Sequence, residues 1–353
     1  MSAEPSTSPA QEHQPSTQPA APPHVALLQI MNGMWVTQIA SAVAQLGVAD
    51  QIAGGKTESE AIAAAVGADP DALYRLLRAA ATIGLLHESA PKRFDLTPVG
   101  ETLVSDVPGS MRDIIIAETL PGHWLPWGQL TEAVRRGGPM ARETLGMDPW
   151  EYYARNQEEG RWFARGMGNL SAVASQDVSA VYDPGHARRI VDVGGSEGVL
   201  LRGLLSRAPN ATGILFDRPD VIELARASWQ PGEPGDRIEL VGGDFFKEVP
   251  AGGDLYLLKH ILHDWADEQC QQILRTVHAA AAPGSRLLLV EMLLPEGPTP
   301  SPVALMDMNM LVMLGGRERT AGQFATLLGR CGYELQRVIP TPGMFAVLEA
   351  ARV

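Results

Sequence analysis

The periodicity of apolar positions changes twice after His24, and the changes divide the chain. The run VALLQIMNGMWVTQIASAVAQLGVADQIA sets Leu28, Met31, Trp35, Ile39, Val43 and Leu46 at helical spacing, with apolar groups on most of its circumference. One small domain cannot cover such a helix, so the pattern predicts a subunit interface over Val25 to Ile52. Shorter helical patterns follow. One covers Glu58 to Val66; the next has Asp69 as N-cap, Pro70 in its first turn and Gly84 at its end. With the hairpin pattern of GLLHESAPKRFDLTPVGETL they outline a winged helix. Residues 111–178 read as mostly helical and carry Trp124, Trp127, Trp150, Tyr152, Tyr153, Trp162 and Phe163. Beyond Asp183 the pattern becomes strands: RRIVDVG, TGILFD, DRIELVGG, GDLYLLKH and SRLLLVEM, separated by helical stretches. That alternation predicts a mostly parallel α/β sheet with helices on both faces. The end, GYELQRVIPTPGMFAVLEA, predicts an antiparallel pair at the sheet edge.

Three regions result: a disordered tail over 1–22, rich in Pro, Ser, Gln and Thr; a helical, winged-helix-like region over 23–180; and a sheet domain over 181–353. No apolar run is long enough to span a bilayer, and the start lacks the basic and apolar parts of a secretory signal. Two cysteines, Cys270 and Cys331, make no disulfide framework, which predicts a reduced, cytoplasmic protein without a membrane partner. The net charge of -13 argues against a nucleic-acid partner. In the winged helix, Arg75 and Arg78 are offset by Asp69 and Asp71, so that element is expected to be a scaffold.

The first strand runs into IVDVGGSEGVLL, a glycine-rich turn that opens a helix. Gly194, Gly195 and Gly198 do not fit the dinucleotide spacing, and no Lys-Ser/Thr pair marks a phosphate loop. Asp192 would repel a pyrophosphate and suits a ligand with a positive or donating group. Asp217, at the tip of the second strand, suits ribose hydroxyls. Asp244 suits an adenine amino group, and the Phe245 ring suits the base. Three acids without a phosphate-binding lysine describe a nucleoside without phosphates, and S-adenosylmethionine is such a ligand. Next, LKHILHDWADEQC places His263, Asp264 and Trp265 at the end of a strand, where catalytic groups gather in α/β sheets. An imidazole that is neutral at pH 7 can take up a proton there. His260 lies three residues from His263, but a metal site is not expected: the neighbouring acid is Asp264, and successive residues on a helix point apart. Phe163 and Met167 are expected to wall a flat apolar pocket. Met306, Met310 and Met313 share a helical face with Asn309 close by, and are expected near the acceptor.

The chain resembles the small-molecule O-methyltransferases that include plant caffeic acid and flavonoid enzymes and bacterial antibiotic-tailoring enzymes. DLTPVGETL, IVDVGGSEG, LFDRPDVI, GGDFF, LLKHILHDWADEQC, LLLVEMLLPE and DMNMLVMLGGRERT carry the resemblance over residues 24–353. It implies a Rossmann-like sheet of order 3-2-1-4-5-7-6 with the last strand antiparallel, after an N-terminal helical, winged-helix dimerisation domain. It also implies an intertwined homodimer acting on an aromatic hydroxyl, with S-adenosylmethionine as cofactor and no metal. The cofactor residues implied are Asp192, Gly194, Asp217, Asp244, Phe245, Lys259 and Trp265. His263 resembles the base, and Glu291 and Glu318 the acids that flank it. Phe163, Met167, Met306, Asn309, Met310 and Met313 match acceptor-pocket positions. One departure is Ser196, followed by Glu197, where the family has a third glycine; a serine is expected to fit only if the position does not require positive φ. Two other readings follow from single features: a non-methylating use of the cofactor from the altered turn, and a ligand-sensing regulator from the winged helix.

Overall fold

The computed structural model describes residues 22–353, apart from 186 and 230–233. The tail expected over 1–22 lies outside the described residues except for Pro22. The N-terminal apolar run is three helices rather than one: Pro23–Met31, Gly33–Gln45 and Val48–Ala53. The second and third are divided at Gly47, whose φ of +67 is left-handed backbone that no right-handed helix contains. The helix Pro70–Thr82 starts as expected, with the Asp69 carboxylate accepting from the Ala72 N–H at 2.9 Å. Strands β1 (Leu86–Ala90) and β2 (Arg93–Leu96) form the hairpin of the winged-helix pattern. Val43, Ile62, Leu73, Leu77 and Phe94 are the centre of this region's core. The first two helices leave one stripe open, with Leu27, Ile30, Met31, Met34 and Trp35 exposed.

The second half is one twisted sheet. Its strands are β3 (Arg189–Val193), β4 (Thr212–Asp217), β5 (Ile238–Gly242), β6 (Leu255–Lys259), β7 (Arg286–Leu294), the two-residue β8 (Arg319–Thr320), β9 (Tyr333–Pro340) and β10 (Phe345–Arg352). They run in the order β5-β4-β3-β6-β7-β10-β9, with β8 paired to β7. Counted without β8, that order is the expected 3-2-1-4-5-7-6, and β10 is antiparallel to both neighbours. The closing strands are the antiparallel pair expected at the sheet edge: β10 lies beside β7, and β9 is the edge. Near-continuous apolar runs such as LYLLK in β6 reflect burial on both faces, since helices cover each side with a separate core cluster.

The long helix Gln157–Val181 joins the two halves. Arg112 of the first half stacks on its Trp162 at 4.9 Å, and Ser175 bonds the Val199 carbonyl of the second at 3.2 Å. Removing the cap at Asp69 tests the local argument: Asp69→Ala should destabilise the protein by about 1 kcal/mol, read from the shift in its chemical denaturation midpoint.

Candidate active site

β3 and β6 lie side by side where the strand order reverses, so the ends of both open into one crevice. Asp192 on β3 is buried, and its Oδ2 has no hydrogen-bond partner. Burial raises its pKa to about 7, against the pull of Lys259. Lys259, at the end of β6, is half-buried; its Nζ donates to Ser171 Oγ at 2.9 Å. Burial lowers its pKa, while Asp192, Glu291 and Asp264 oppose the shift. The turn after β3 hugs these groups. A Cβ on Gly195 would lie 2.4 Å from Leu215 Cδ1 and 2.6 Å from Asp192 Cγ, so only glycine fits.

Ser196 overturns the expectation about its backbone. It stands at φ +53, the left-handed region, and its N–H donates to Asp217 Oδ2 at 2.8 Å. A single exposed residue can hold that conformation at a cost of about 1–2 kcal/mol, here with a charged acceptor in place. The turn therefore keeps a glycine-like path without the glycine. Asp217 Oδ1 also accepts from the Arg218 N–H at 2.7 Å, so this acid organises the turn. Asp244 follows β5 and caps the Phe246 N–H at 3.0 Å. Phe245, Phe246 and Trp265 meet edge to face, with Trp265 4.8 Å from Phe246 and 6.3 Å from Phe245. The unpaired buried carboxylate oxygen, the glycine turn, the acid ending β4 and this aromatic wall fit the ammonium, ribose and adenine of S-adenosylmethionine.

His263 lies beyond β6 on one 3₁₀ turn, Leu262–Asp264, and is buried. Its Nδ1 is 2.8 Å from Glu318 Oε1, and its Nε2 is 3.3 Å from Asp264 Oδ1. Asp264 is a site residue that the sequence reasoning set aside. Neighbours on an α-helix point apart, but this segment is a tight turn, and there the two side chains converge. Glu291, in the interior of β7, accepts from the Leu262 N–H at 3.1 Å. His260 stacks on His263 with ring centroids 4.3 Å apart. His260, His263 and Glu291 bring possible ligand atoms within 4.8 Å of one another, a third partner that adjacency in sequence did not show. Both His263 nitrogens already face carboxylates, whereas His260 Nε2 and Glu291 Oε2 have no hydrogen-bond partner. Burial by itself would lower the His263 pKa; Asp264, Glu318 and Glu291 outweigh it and raise it to about 9. The neutral imidazole expected at pH 7 is thus the minor form.

Two close contacts set this ring. Glu318 N–H donates to Asp307 Oδ1 at 2.9 Å, and Arg317 N–H to the His263 carbonyl at 2.9 Å. Gly316 makes the second possible, since a Cβ there would sit 2.0 Å from that carbonyl. Of the residues expected to line the acceptor pocket, Phe163 and Met167 are half-buried on the helix Gln157–Val181. Phe163 stacks on Tyr153 at 4.7 Å. Met306, Asn309, Met310 and Met313 lie on the helix Val303–Met313. Asn309 Oδ1 accepts from Trp127 Nε1 and pairs with His123 Nε2, both at 2.8 Å. Met313 packs with Met140, Ala141 and Val312. His123 carried no signal in the sequence, because nothing near it in the chain marks it as facing Asn309.

The profile of the O-methyltransferase domain matches residues 127–334, and that of the O-methyltransferase dimerisation domain residues 28–106. The chain belongs to the O-methyltransferase family. It is an S-adenosylmethionine-dependent O-methyltransferase. It is 38% identical to phenazine O-methyltransferase PhzM of Lysobacter antibioticus over 331 residues, 94% of this chain and 97% of that one. It is 39% identical to 3-amino-4-hydroxybenzoate 4-O-methyltransferase of Streptomyces cremeus over 319 residues, 90% and 87% of the two chains. The crystal structure of LaPhzM superposes with a TM-score of 0.88 at 37% identity, covering 94% of this methyltransferase and 100% of that chain.

The cofactor side of the methyltransferase yields one expectation. Asp217→Ala removes the acid expected to meet the ribose and also frees the Ser196 N–H, so S-adenosylmethionine should bind about 10- to 100-fold more weakly by calorimetric titration. Its melting temperature serves as the control for folding.

Proposed function

We propose that the methyltransferase acts on a ring hydroxyl of a small aromatic secondary metabolite, with His263 as the general base. The observation that carries this reading is the buried His263–Glu318 contact of 2.8 Å, one turn beyond Lys259 of the cofactor crevice. The names of its relatives, a phenazine and an amino-hydroxybenzoate O-methyltransferase, support an aromatic acceptor. So do the Tyr153–Phe163 stack and the methionine-rich helix that carries Met306, side chains suited to a flat apolar acceptor.

In this reading Asp192 would hold the ammonium of the cofactor, Asp217 its ribose, and Asp244, Phe245 and Trp265 its adenine, with Lys259 flanking Asp192. Bound S-adenosylmethionine supplies an electrophilic methyl group on a sulfonium. The chain's own work is to place the acceptor oxygen and remove its proton. A phenol has a pKa of about 10. A base near 9 is therefore better matched to it than a free imidazole, and transfer to His263 is close to level. Glu318 holds the ring and stabilises the imidazolium that forms. Glu291 fixes the turn through the Leu262 N–H and adds negative charge. Positioning adds several kcal/mol beyond proton removal.

The test is turnover with a panel of phenols, read as S-adenosylhomocysteine release and a product heavier by one methylene. Silence across a broad panel would count against the reading. His263→Ala should lower kcat by about 10²–10⁴ while cofactor affinity stays within a few-fold. The pH dependence has a definite sign. The base form of His263 is scarce below its raised pKa, so the rate should climb from pH 7 towards about 9. Glu318→Gln removes one of the charges that raise that pKa, so the limb should move to lower pH with a lower plateau. An unmoved limb would mean that another group is titrating.

The same reading includes a cytoplasmic homodimer; no described helix is long and apolar enough to cross a membrane. The dimerisation-domain match over 28–106 and the exposure of Ile30 (75%) and Trp35 (54%) support the assembly. Light scattering should give about twice the 37.8 kDa chain mass. Replacing Met31 and Trp35 together by Glu should reduce it to the mass of one chain.

A further inference from the structure

The helix Val303–Met313 is bonded to two different parts of the molecule. Through Asn309 it reaches the N-terminal half: Oδ1 accepts from Trp127 Nε1 and pairs with His123 Nε2, both at 2.8 Å. The Val312 carbonyl adds a bond from the Met140 N–H at 2.9 Å. Through Asp307 the helix reaches the segment beside the base, where Oδ1 accepts from the Glu318 N–H at 2.9 Å. Residues two apart on a helix point about 200° from each other, so Asp307 and Asn309 leave it on opposite sides. Met306, Met310 and Met313, expected near the acceptor, lie on the same helix.

The bond to Asp307 matters because of how Glu318 is held. Glu318 is buried; its Oε1 meets His263 Nδ1 at 2.8 Å, and its Oε2 has no hydrogen-bond partner among the described residues. The place of this carboxylate is therefore set by the backbone that carries it. The residues on either side are tied to the His263 turn and to the sheet. The Arg317 N–H donates to the His263 carbonyl, the Arg319 guanidinium to the carbonyls of Leu262 and Trp265, and β8 pairs with β7. Asp307 takes the N–H of Glu318 itself, and a carboxylate is a stronger acceptor than a carbonyl. Without it a buried N–H is left unpaired, and the peptide must turn to find another partner. A hydrogen bond made through one oxygen of the attached side chain weakens with such a turn.

We propose that Asp307 is a positioning residue for the base: by holding the Glu318 peptide it keeps the Glu318 carboxylate on the His263 ring, and it ties that contact to the helix expected beside the acceptor. The inference rests on the reading of His263 given above. Asp307 acts through Glu318 and takes no part in the proton transfer. The groups that face His263 are Asp264 on its own turn, Glu291 from β7, Glu318 beside β8, and His260 stacked from the end of β6 with Lys259 before it. Of these, Glu318 is the one that Asp307 bonds. Loosening it removes a contact that favours the imidazolium, so the ring should release its proton at lower pH.

The experiment titrates His263 directly, by NMR of the full-length enzyme isotope-labelled at the histidine ring carbons and loaded with S-adenosylhomocysteine. The signal lost in His263→Ala assigns the ring. Asp307→Ala should lower its midpoint by about one pH unit, and Asp307→Asn, which keeps a carbonyl oxygen for the Glu318 N–H, should leave it within about 0.3. Asp307→Ser, whose hydroxyl stops a bond short of that N–H, gives the same reading should the alanine variant be too unstable to titrate. In a Glu318→Gln background Asp307→Ala should add no further shift, because the path it acts through is already cut. With a phenol that the enzyme methylates, Asp307→Ala should lower kcat about tenfold, with acceptor KM and cofactor affinity within about threefold. An unmoved midpoint in Asp307→Ala, an equal shift in Asp307→Asn, or a further shift in the Glu318→Gln background would overturn the proposal. So would a shifted midpoint with kcat unchanged in an enzyme that His263→Ala disables. Retained turnover in His263→Ala would fault the base and leave the hold on the ring standing, since the midpoint is read without turnover.

Discussion

The guanidinium of Arg319 lies buried beneath the turn that carries His263, and the geometry of the site depends on it. It donates to the carbonyls of Leu262 and Trp265 at 3.0 Å each and to Asp267 Oδ1 at 2.8 Å. A planar fork can serve several acceptors at once; the point charge of a lysine cannot. The bonds therefore tie both ends of the 3₁₀ turn and the first turn of the next helix to β8. Glu318, one residue earlier, grips the imidazole itself. Two consecutive residues thus hold one segment, one by its backbone and one by its ring. Cys270 adds a weaker contact to the same Leu262 carbonyl at 3.1 Å.

This arrangement gathers acids where solvent cannot screen them. Glu291 and Glu318 are buried, Asp264 nearly so, and Asp192 lies at the end of a neighbouring strand. Burial pushes Asp192 and Glu291 each to about 7 and Asp264 to about 6. Lys259 stands between the two groups and interacts with members of both. The Asp192 side and the His263 side are therefore one electrostatic unit. An ammonium on Asp192 would satisfy an oxygen that the protein leaves unpaired, and the carboxylates around His263 are compensated by the proton they help it keep.

The residues expected on the acceptor side follow a different rule. They are mostly aromatic and methionine side chains, with His123 held by Asn309 and Glu118, and Asn309 by Trp127. An apolar wall accepts many flat molecules; a fixed donor rejects those that cannot pair with it.

Much of the architecture was legible in the chain because its signals are local. Strand β4 is TGILFD, read directly from an apolar run ending in an acid. The start at Asp69 was legible because a cap needs only its own first turn. Asp192, Asp217 and Asp244 could be placed in one crevice because strand ends in a parallel sheet converge, so position along the chain implies position in the crevice, whereas Lys259 came from the family resemblance. The break at Gly47 was not legible, since an apolar pattern continues through it and only the left-handed backbone ends the helix. The path of Ser196 was not legible either: whether serine takes positive φ there is decided by Asp217, twenty-one residues away. The protonation of His263 needed the carboxylates of β7 and of the segment at 318 brought around one ring, and the role of Asp264 needed a 3₁₀ turn in place of a helix. Periodicity and residue type determined which groups the protein has and which strand or helix bears them. Packing alone decided which of those groups touch, and with that the charge each carries.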